Sequence, residues 1–200
     1  MSYLNWWEDP ENAKVWLRRE NLKYYNVKNE DGLDILVDII KKNKPKTVLE
    51  IGFGSGRLVG KLSKMFPKIK FFGLDINSEL ATYVTNTYDV KTFVRSICDV
   101  KIENAKFDLV YSFQVLQHIS PEKIDDAING IIFLAKKEIC LMEGWADLEK
   151  YNLSNGYTRS RSDSGTFNWE FEKFFNCYET GLIHESLDRL SCLKYYKIKV

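Results

Sequence analysis

Residues 47–58 read Thr47-Val48-Leu49-Glu50-Ile51-Gly52-Phe53-Gly54-Ser55-Gly56-Arg57-Leu58. A short β-branched apolar run predicts a buried strand. It breaks into glycines at every second position, and helical spacing resumes with Leu58, Leu62 and Met65 on one side. Glycines at a strand-to-helix turn permit backbone angles closed to other residues and let a ligand approach the main chain. The helix beyond them offers unpaired N–H groups and a partial positive charge. A tight turn with no ligand is the simpler reading of the same glycines.

Outward from this stretch the pattern alternates. Upstream, residues 31–40 carry Leu33, Leu36, Val37 and Ile40 at helical spacing, and Pro45 stops the helix. Downstream, residues 70–75 read as a strand, and Asn77 caps a helix bearing Leu80, Tyr83, Val84 and Thr87. Residues 92–97 and 107–112 predict a third and a fourth strand. Ser120-Pro121-Glu122 reads as the cap of a helix carrying Ile124, Ile128, Ile131 and Ile132, followed by a fifth strand over residues 139–143. Residues 144–166 look like loop and Phe167 to Phe175 helical. Residues 182–186 and 190–196 predict two strands paired as an antiparallel hairpin around Asp188-Arg189. The expected fold is α/β: a doubly wound, mostly parallel sheet with helices on both faces and a C-terminal antiparallel hairpin. The expected organisation is an N-terminal aromatic cap segment over residues 1–30 and one domain over 31–200.

Asp75 closes the strand after the glycine turn, where a carboxylate can accept both hydroxyls of an adenosine ribose. A helix-capping role is the alternative, although Asn77 fills that role better. The dinucleotide fingerprint requires a third glycine where Arg57 stands. The G-x-G-x-G spacing after an acid suits a ligand without a pyrophosphate, such as the amino-acid end of S-adenosylmethionine.

Four segments together resemble the class I S-adenosylmethionine-dependent methyltransferases over about residues 31–143. They are Val48 to Leu58; Gly73-Leu74-Asp75-Ile76; Ile97-Cys98-Asp99; and Phe107 to Ile119, which includes a leucine-x-histidine ending. The resemblance implies a seven-stranded sheet and S-adenosylmethionine as cofactor, with S-adenosylhomocysteine as product. It also implies a set of cofactor-binding residues. The backbone at Gly52, Phe53, Gly54 and Gly56 would cradle the methionine part, and Glu50 would orient its ammonium. Asp75 would hold the ribose, Ile76 and Asp99 the adenine, with a backbone contact at Cys98. Ser112, Phe113 and Gln114 would line the pocket near the sulfonium. Asp99 could equally be a turn residue. His118 is the candidate catalytic base, since an unperturbed imidazole titrates near neutral pH; in such motifs this histidine is also often structural.

Composition bounds the acceptor. The chain of 200 residues has 29 basic and 28 acidic side chains and a formal charge of +1, which argues against nucleic acid as a general partner. No apolar run approaches the roughly 20 residues that span a bilayer. The first nine residues lack the basic region and apolar core of a signal peptide. Cys98, Cys140, Cys177 and Cys192 are widely spaced, with only His118 and His184 beside them, so no metal site is expected. Such thiols fit a reduced cytoplasmic protein. The expected activity is methyl transfer to a small-molecule acceptor through an oxygen or nitrogen nucleophile. A protein or RNA acceptor is the alternative within enzymes, and a non-catalytic cofactor-binding module the alternative outside them. Trp6, Trp7, Trp16, Tyr24 and Tyr25 with Arg18 and Arg19, and after the fifth strand Glu143, Trp145, Tyr151, Tyr157, Arg159, Arg161, Phe167 and Trp169, could form a lid or merely cap the sheet.

Overall fold

The computed structural model describes residues 3–21, 32–100, 105–145, 157–159, 167–185 and 192–200. Among these the elements are α1 (Tyr3–Glu8), α2 (Pro10–Asn21), α3 (Leu33–Asn43), β1 (Thr47–Ile51), α4 (Arg57–Met65), β2 (Lys70–Asp75), α5 (Ser78–Thr87) and β3 (Val90–Val94). They continue as β4 (Phe107–Phe113), α6 (Ile124–Leu134), β5 (Ala135–Trp145), β6 (Tyr157–Arg159), β7 (Phe167–Trp169), β8 (Cys177–Glu185) and β9 (Cys192–Lys199). Short 3-10 turns lie at Ile97–Asp99, Leu116–His118 and Phe171–Lys173.

Seven strands form one sheet in the order β3-β2-β1-β4-β5-β9-β8. β1 to β5 pair in parallel, and β9 is antiparallel to both β5 and β8. The order reverses beside β1, which makes the C-terminal ends of β1 and β4 the switch point where ligands bind in open α/β sheets. Alternation along the strands sends Leu49, Val110, Leu141 and Tyr196 to one face and Val48, Leu109, Tyr111 and Met142 to the other. The first face is covered by α6 and the aromatic block Phe167, Trp169 and Phe171. The second is covered by α3, α4 and α5, with Ala13 of α2 buried in the same cluster. Both faces are thus buried, as the continuous apolar strands require.

Several boundaries differ from the expectation, each for a tertiary reason. β3 occupies Val90–Val94 rather than residues 92–97, because its one partner β2 ends at Asp75, opposite Val94. Ser120-Pro121 does not cap α6. Lys123 N–H donates to Ser120 C=O at 2.9 Å, and the helix starts only at Ile124. Proline thus sits second in a four-residue turn, where its fixed φ is favoured. Phe167 to Phe175 is not a helix. Its first three residues pair with β6, and a 3-10 turn follows. A strand partner overrides helical spacing in a stretch this short and aromatic. β5, β8 and β9 are longer than expected, and β5 is paired on both sides by β4 and β9. Met65 and Ile132, placed with the apolar faces of their helices, are exposed.

Candidate functional site

β1 delivers its backbone into a turn in which Gly52, Gly54 and Gly56 all have positive φ, at 65°, 54° and 79°. The glycines are there for different reasons. A Cβ on Gly52 would lie 2.4 Å from Val115 and one on Gly56 2.7 Å from Val84, so both allow close packing. A Cβ on Gly54 would meet nothing within 4 Å. Its N–H donates to Asp75 Oδ2 at 2.9 Å, leaving an open backbone cradle beside a carboxylate.

Asp75 is half-buried, and its Oδ1 accepts the Asn77 N–H at 3.0 Å. Burial raises its pKa against these hydrogen bonds. Asn77 is the expected cap: its Oδ1 accepts from Glu79 and Leu80 N–H, both at 3.1 Å. Its amide also donates to Trp7 C=O and Asp9 C=O, each at 3.1 Å, tying the N-terminal helices to the end of β2. Ile76 beside it is half-buried.

Glu50 is buried. Its Oε2 accepts Val59 N–H at 3.0 Å and the Tyr111 hydroxyl at 3.1 Å, linking the first turn of α4 to β4. Register places Glu50 directly opposite Tyr111. Burial pushes the Glu50 carboxyl up to about 8 and also raises the Tyr111 phenol.

β4 supplies the facing wall. Phe113 lies under the Arg57 guanidinium, 5.4 Å from the ring centroid. Gln114 is exposed, with φ 56°, and donates its N–H to Met142 C=O at 2.9 Å. Glu143, at the end of β5, is fully buried and accepts the Ser112 hydroxyl at 2.7 Å. Burial pushes Glu143 up to about 7. His118 is half-buried beneath Trp7, and its Nε2 lies 3.3 Å from the Gln117 amide nitrogen. Burial lowers its pKa to about 4.

Phe53 and Ser112 turn their side chains into the interior. Phe53 packs into the core, its ring occupying the space a Cβ on Gly73 would need. The Ser112 hydroxyl is buried and donates to Glu143. Backbone contacts remain open to both. Cys98 and Asp99 lie together in the 3-10 turn after β3. The Cys98 thiol donates toward Lys123 C=O at 3.7 Å, and Asp99 is exposed.

The lid candidates Tyr24, Tyr25, Tyr151 and Arg161 lie outside the described residues, as do the side chains of Trp16, Arg19, Trp145, Tyr157, Arg159, His184 and Cys192 and the turn at Asp188-Arg189. Trp169 is buried, its indole N–H donating to Leu116 C=O at 3.1 Å, so it braces the site from beneath. Sequence reasoning missed the Glu50–Tyr111 bond and the Trp7–His118 contact. Only the register of β1 on β4 and the docking of α1 bring these pairs together.

No cluster of metal-ligating residues occurs among the described residues. No helix among them is long and apolar enough to cross a membrane. The open Gly54 cradle and the Asp75 carboxylate suit a ligand carrying an amino-acid end and a ribose, as S-adenosylmethionine does.

The methyltransferase-domain family model matches residues 48–138. A phosphoethanolamine N-methyltransferase of Zea mays is 24% identical over 158 residues, covering 70% of this chain and 31% of that protein. The chain spans about a third of the length of the curated relatives it matches. Among solved structures, the plantazolicin methyltransferase BpumL in complex with S-adenosylhomocysteine superposes with a TM-score of 0.68 at 15% identity, covering 98% of this chain and 93% of that one. A TehB-like S-adenosylmethionine-dependent methyltransferase from Corynebacterium glutamicum gives 0.67 at 17% identity, covering 95% and 98%. Strand order, glycine turn and family match agree: residues 48–138 match the methyltransferase-domain model, and the sheet has the fold of the S-adenosylmethionine-dependent methyltransferases.

Proposed function

We propose that this chain transfers the methyl group of S-adenosylmethionine to a small-molecule acceptor through an oxygen or nitrogen nucleophile. The observation that carries the reading is the backbone cradle at Gly54, open on the Cβ side and adjoining the Asp75 carboxylate. Bound there, S-adenosylmethionine supplies an electrophilic methyl group on a sulfonium. Gly52, Gly54 and Gly56 hold the methionine part through their backbone, and Glu50 faces its ammonium. Asp75 takes the ribose hydroxyls, with Ile76, Asp99 and the Cys98 backbone around the adenine. Phe113 and Gln114 stand beside the reacting end, with Phe53 and Ser112 contributing main chain only. Orienting two reactants in line can supply roughly 7–11 kcal/mol of a barrier, so a reactive acceptor needs little further help.

We assign His118 as the shelf that carries Trp7. Its low pKa leaves it neutral at pH 7 but a weak base. We assign residues 1–30 as a cap over the domain of residues 31–200, a reading supported by Trp7 and Asp9 bonding to Asn77 and by Trp7 lying against His118. The small-molecule class draws support from the phosphoethanolamine N-methyltransferase among the relatives and from the near-zero net charge. Free thiols at Cys98, Cys140 and Cys177 support a cytoplasmic setting.

The test is calorimetric titration with S-adenosylhomocysteine, with NADH as control, followed by acceptor-dependent release of S-adenosylhomocysteine from S-adenosylmethionine. Saturable binding of S-adenosylhomocysteine alone is expected, with turnover on small amines or hydroxyl compounds. NADH binding, or turnover only with RNA or protein, would overturn the reading. Binding without turnover on any acceptor would point to a module that only holds the cofactor.

A further inference from the structure

The carboxylate of Glu143 gathers donors from one short segment. Besides the Ser112 hydroxyl, its Oε1 accepts the Val115 N–H at 3.2 Å, and its Oε2 accepts the Leu116 N–H at 3.0 Å. The three donors belong to the end of β4 and to the stretch that leaves it and ends at His118.

That stretch starts in a disfavoured shape. Gln114 holds φ at +56°, a left-handed conformation that non-glycine residues resist. It is also in contact with the rest of the candidate site. Val115 fills the space a Cβ on Gly52 would occupy, so its position limits that of the glycine turn. Leu116 C=O is bonded to Trp169, and His118 carries Trp7. One buried carboxylate therefore sits behind the glycine turn and the cap at once.

We propose that Glu143 is a positioning residue for the cofactor pocket: its ionised carboxylate holds residues 114–118 against the glycine turn, and protonation slackens them. The proposal rests on the reading of this edge of the sheet as the cofactor site. Ionised, the group accepts every donor aimed at it; protonated, it must give up at least one. Burial and these hydrogen bonds oppose each other and leave the carboxyl titrating at about 7. The titratable groups packed near it are Tyr196 and Lys194 of β9, the latter opposite Glu143 and bonded to Glu172, with His118 at the end of its own segment.

The test is calorimetric titration with S-adenosylhomocysteine between pH 6 and 8.5 on the wild type, Glu143→Gln and Ser112→Ala. In the wild type, affinity should rise about tenfold through a step near neutral pH, the value of one charged hydrogen bond. In Glu143→Gln the step near 7 should vanish, leaving the rise through about 8 that Glu50 supplies. Ser112→Ala keeps the charge but removes one donor that favours it, so the step should move to higher pH. Thermal unfolding establishes that each variant is folded; if Glu143→Gln is not, the Ser112→Ala midpoint decides. Glu50, pushed up to about 8, is bonded to Val59 and Tyr111 and to neither Glu143 nor Ser112, so differences between the three proteins isolate Glu143. A step near 7 that persists in Glu143→Gln, or a midpoint unmoved in Ser112→Ala, would overturn the proposal; a purely structural Glu143 would lower affinity without moving the midpoint. No binding by the wild type at any pH would instead remove the cofactor reading beneath it.

Discussion

Trp7 lies against His118 with ring centroids 4.5 Å apart and planes inclined at 46°. One residue comes from the first helix and the other from the turn after β4, so the contact docks α1 against the turn beyond the C-terminal end of β4. Burial also holds the imidazole neutral, with its pKa lowered to about 4.

The first prediction concerns that histidine. Its imidazole should stay neutral in the folded protein until about pH 4, as followed by NMR. In Trp7→Ala the midpoint should climb toward the ordinary value of about 6.5. In the window between 4 and 6.5 the unfolded chain binds the proton and the folded one does not, so stability falls as pH drops through it. His118→Ala should keep S-adenosylhomocysteine binding largely intact. A selective loss of turnover would instead make His118 the general base.

Glu50 sets up a proton-release prediction. With its carboxyl pushed up to about 8, it is mostly protonated in the free protein at pH 7. A ligand ammonium beside it favours the charged form, so binding should expel a proton. Titrations with S-adenosylhomocysteine in buffers of different ionisation enthalpy measure that release, which Glu50→Gln should abolish. Equal release from both proteins would take Glu50 out of the site. On stability the raised pKa has the opposite sign from His118: the contribution is fully present below the unfolded value and is lost as pH rises through about 8.

Two glycines of the turn should separate binding from folding. Gly54→Ala meets no neighbour, so its cost is the left-handed backbone, about 1–2 kcal/mol, while its methyl group enters the cradle and weakens S-adenosylhomocysteine binding. Gly52→Ala also meets Val115 at 2.4 Å and should lose roughly a further 1–3 kcal/mol through overpacking. Urea denaturation and calorimetry on both variants check this; a Gly54→Ala protein that binds normally would show the cradle is not used.

Asp75→Ala should lower S-adenosylhomocysteine affinity by roughly 1.5–3 kcal/mol, about ten- to over a hundred-fold. It also strips the Gly54 and Asn77 N–H groups of their acceptor, so the turn should exchange its amide hydrogens faster. Unchanged affinity in a folded variant would exclude Asp75 from the ribose site.

Much of this protein was legible in the chain because the deciding signals are local. The run Thr47–Ile51 and the strand Lys70–Asp75 follow from short apolar patterns bounded by glycine or proline, and Asn77 follows from capping chemistry. The spacing of Gly52, Gly54 and Gly56 before a helix and the acid closing the next strand indicated the cofactor class only together with the two later segments, Ile97 to Asp99 and Phe107 to Ile119, that complete the resemblance.

What only the tertiary structure decided depends on partners far apart in sequence. The end of β3 is set by where β2 stops, and the strand at Phe167–Trp169 exists because β6 is beside it. The division of labour among the three glycines depends on Val115 and Val84 filling the space beside two of them. The acid–base character of Glu50, His118 and Glu143 comes from burial by the sheet and by α1. Desolvation and register are properties of the packed molecule, so no local pattern of residues encodes them.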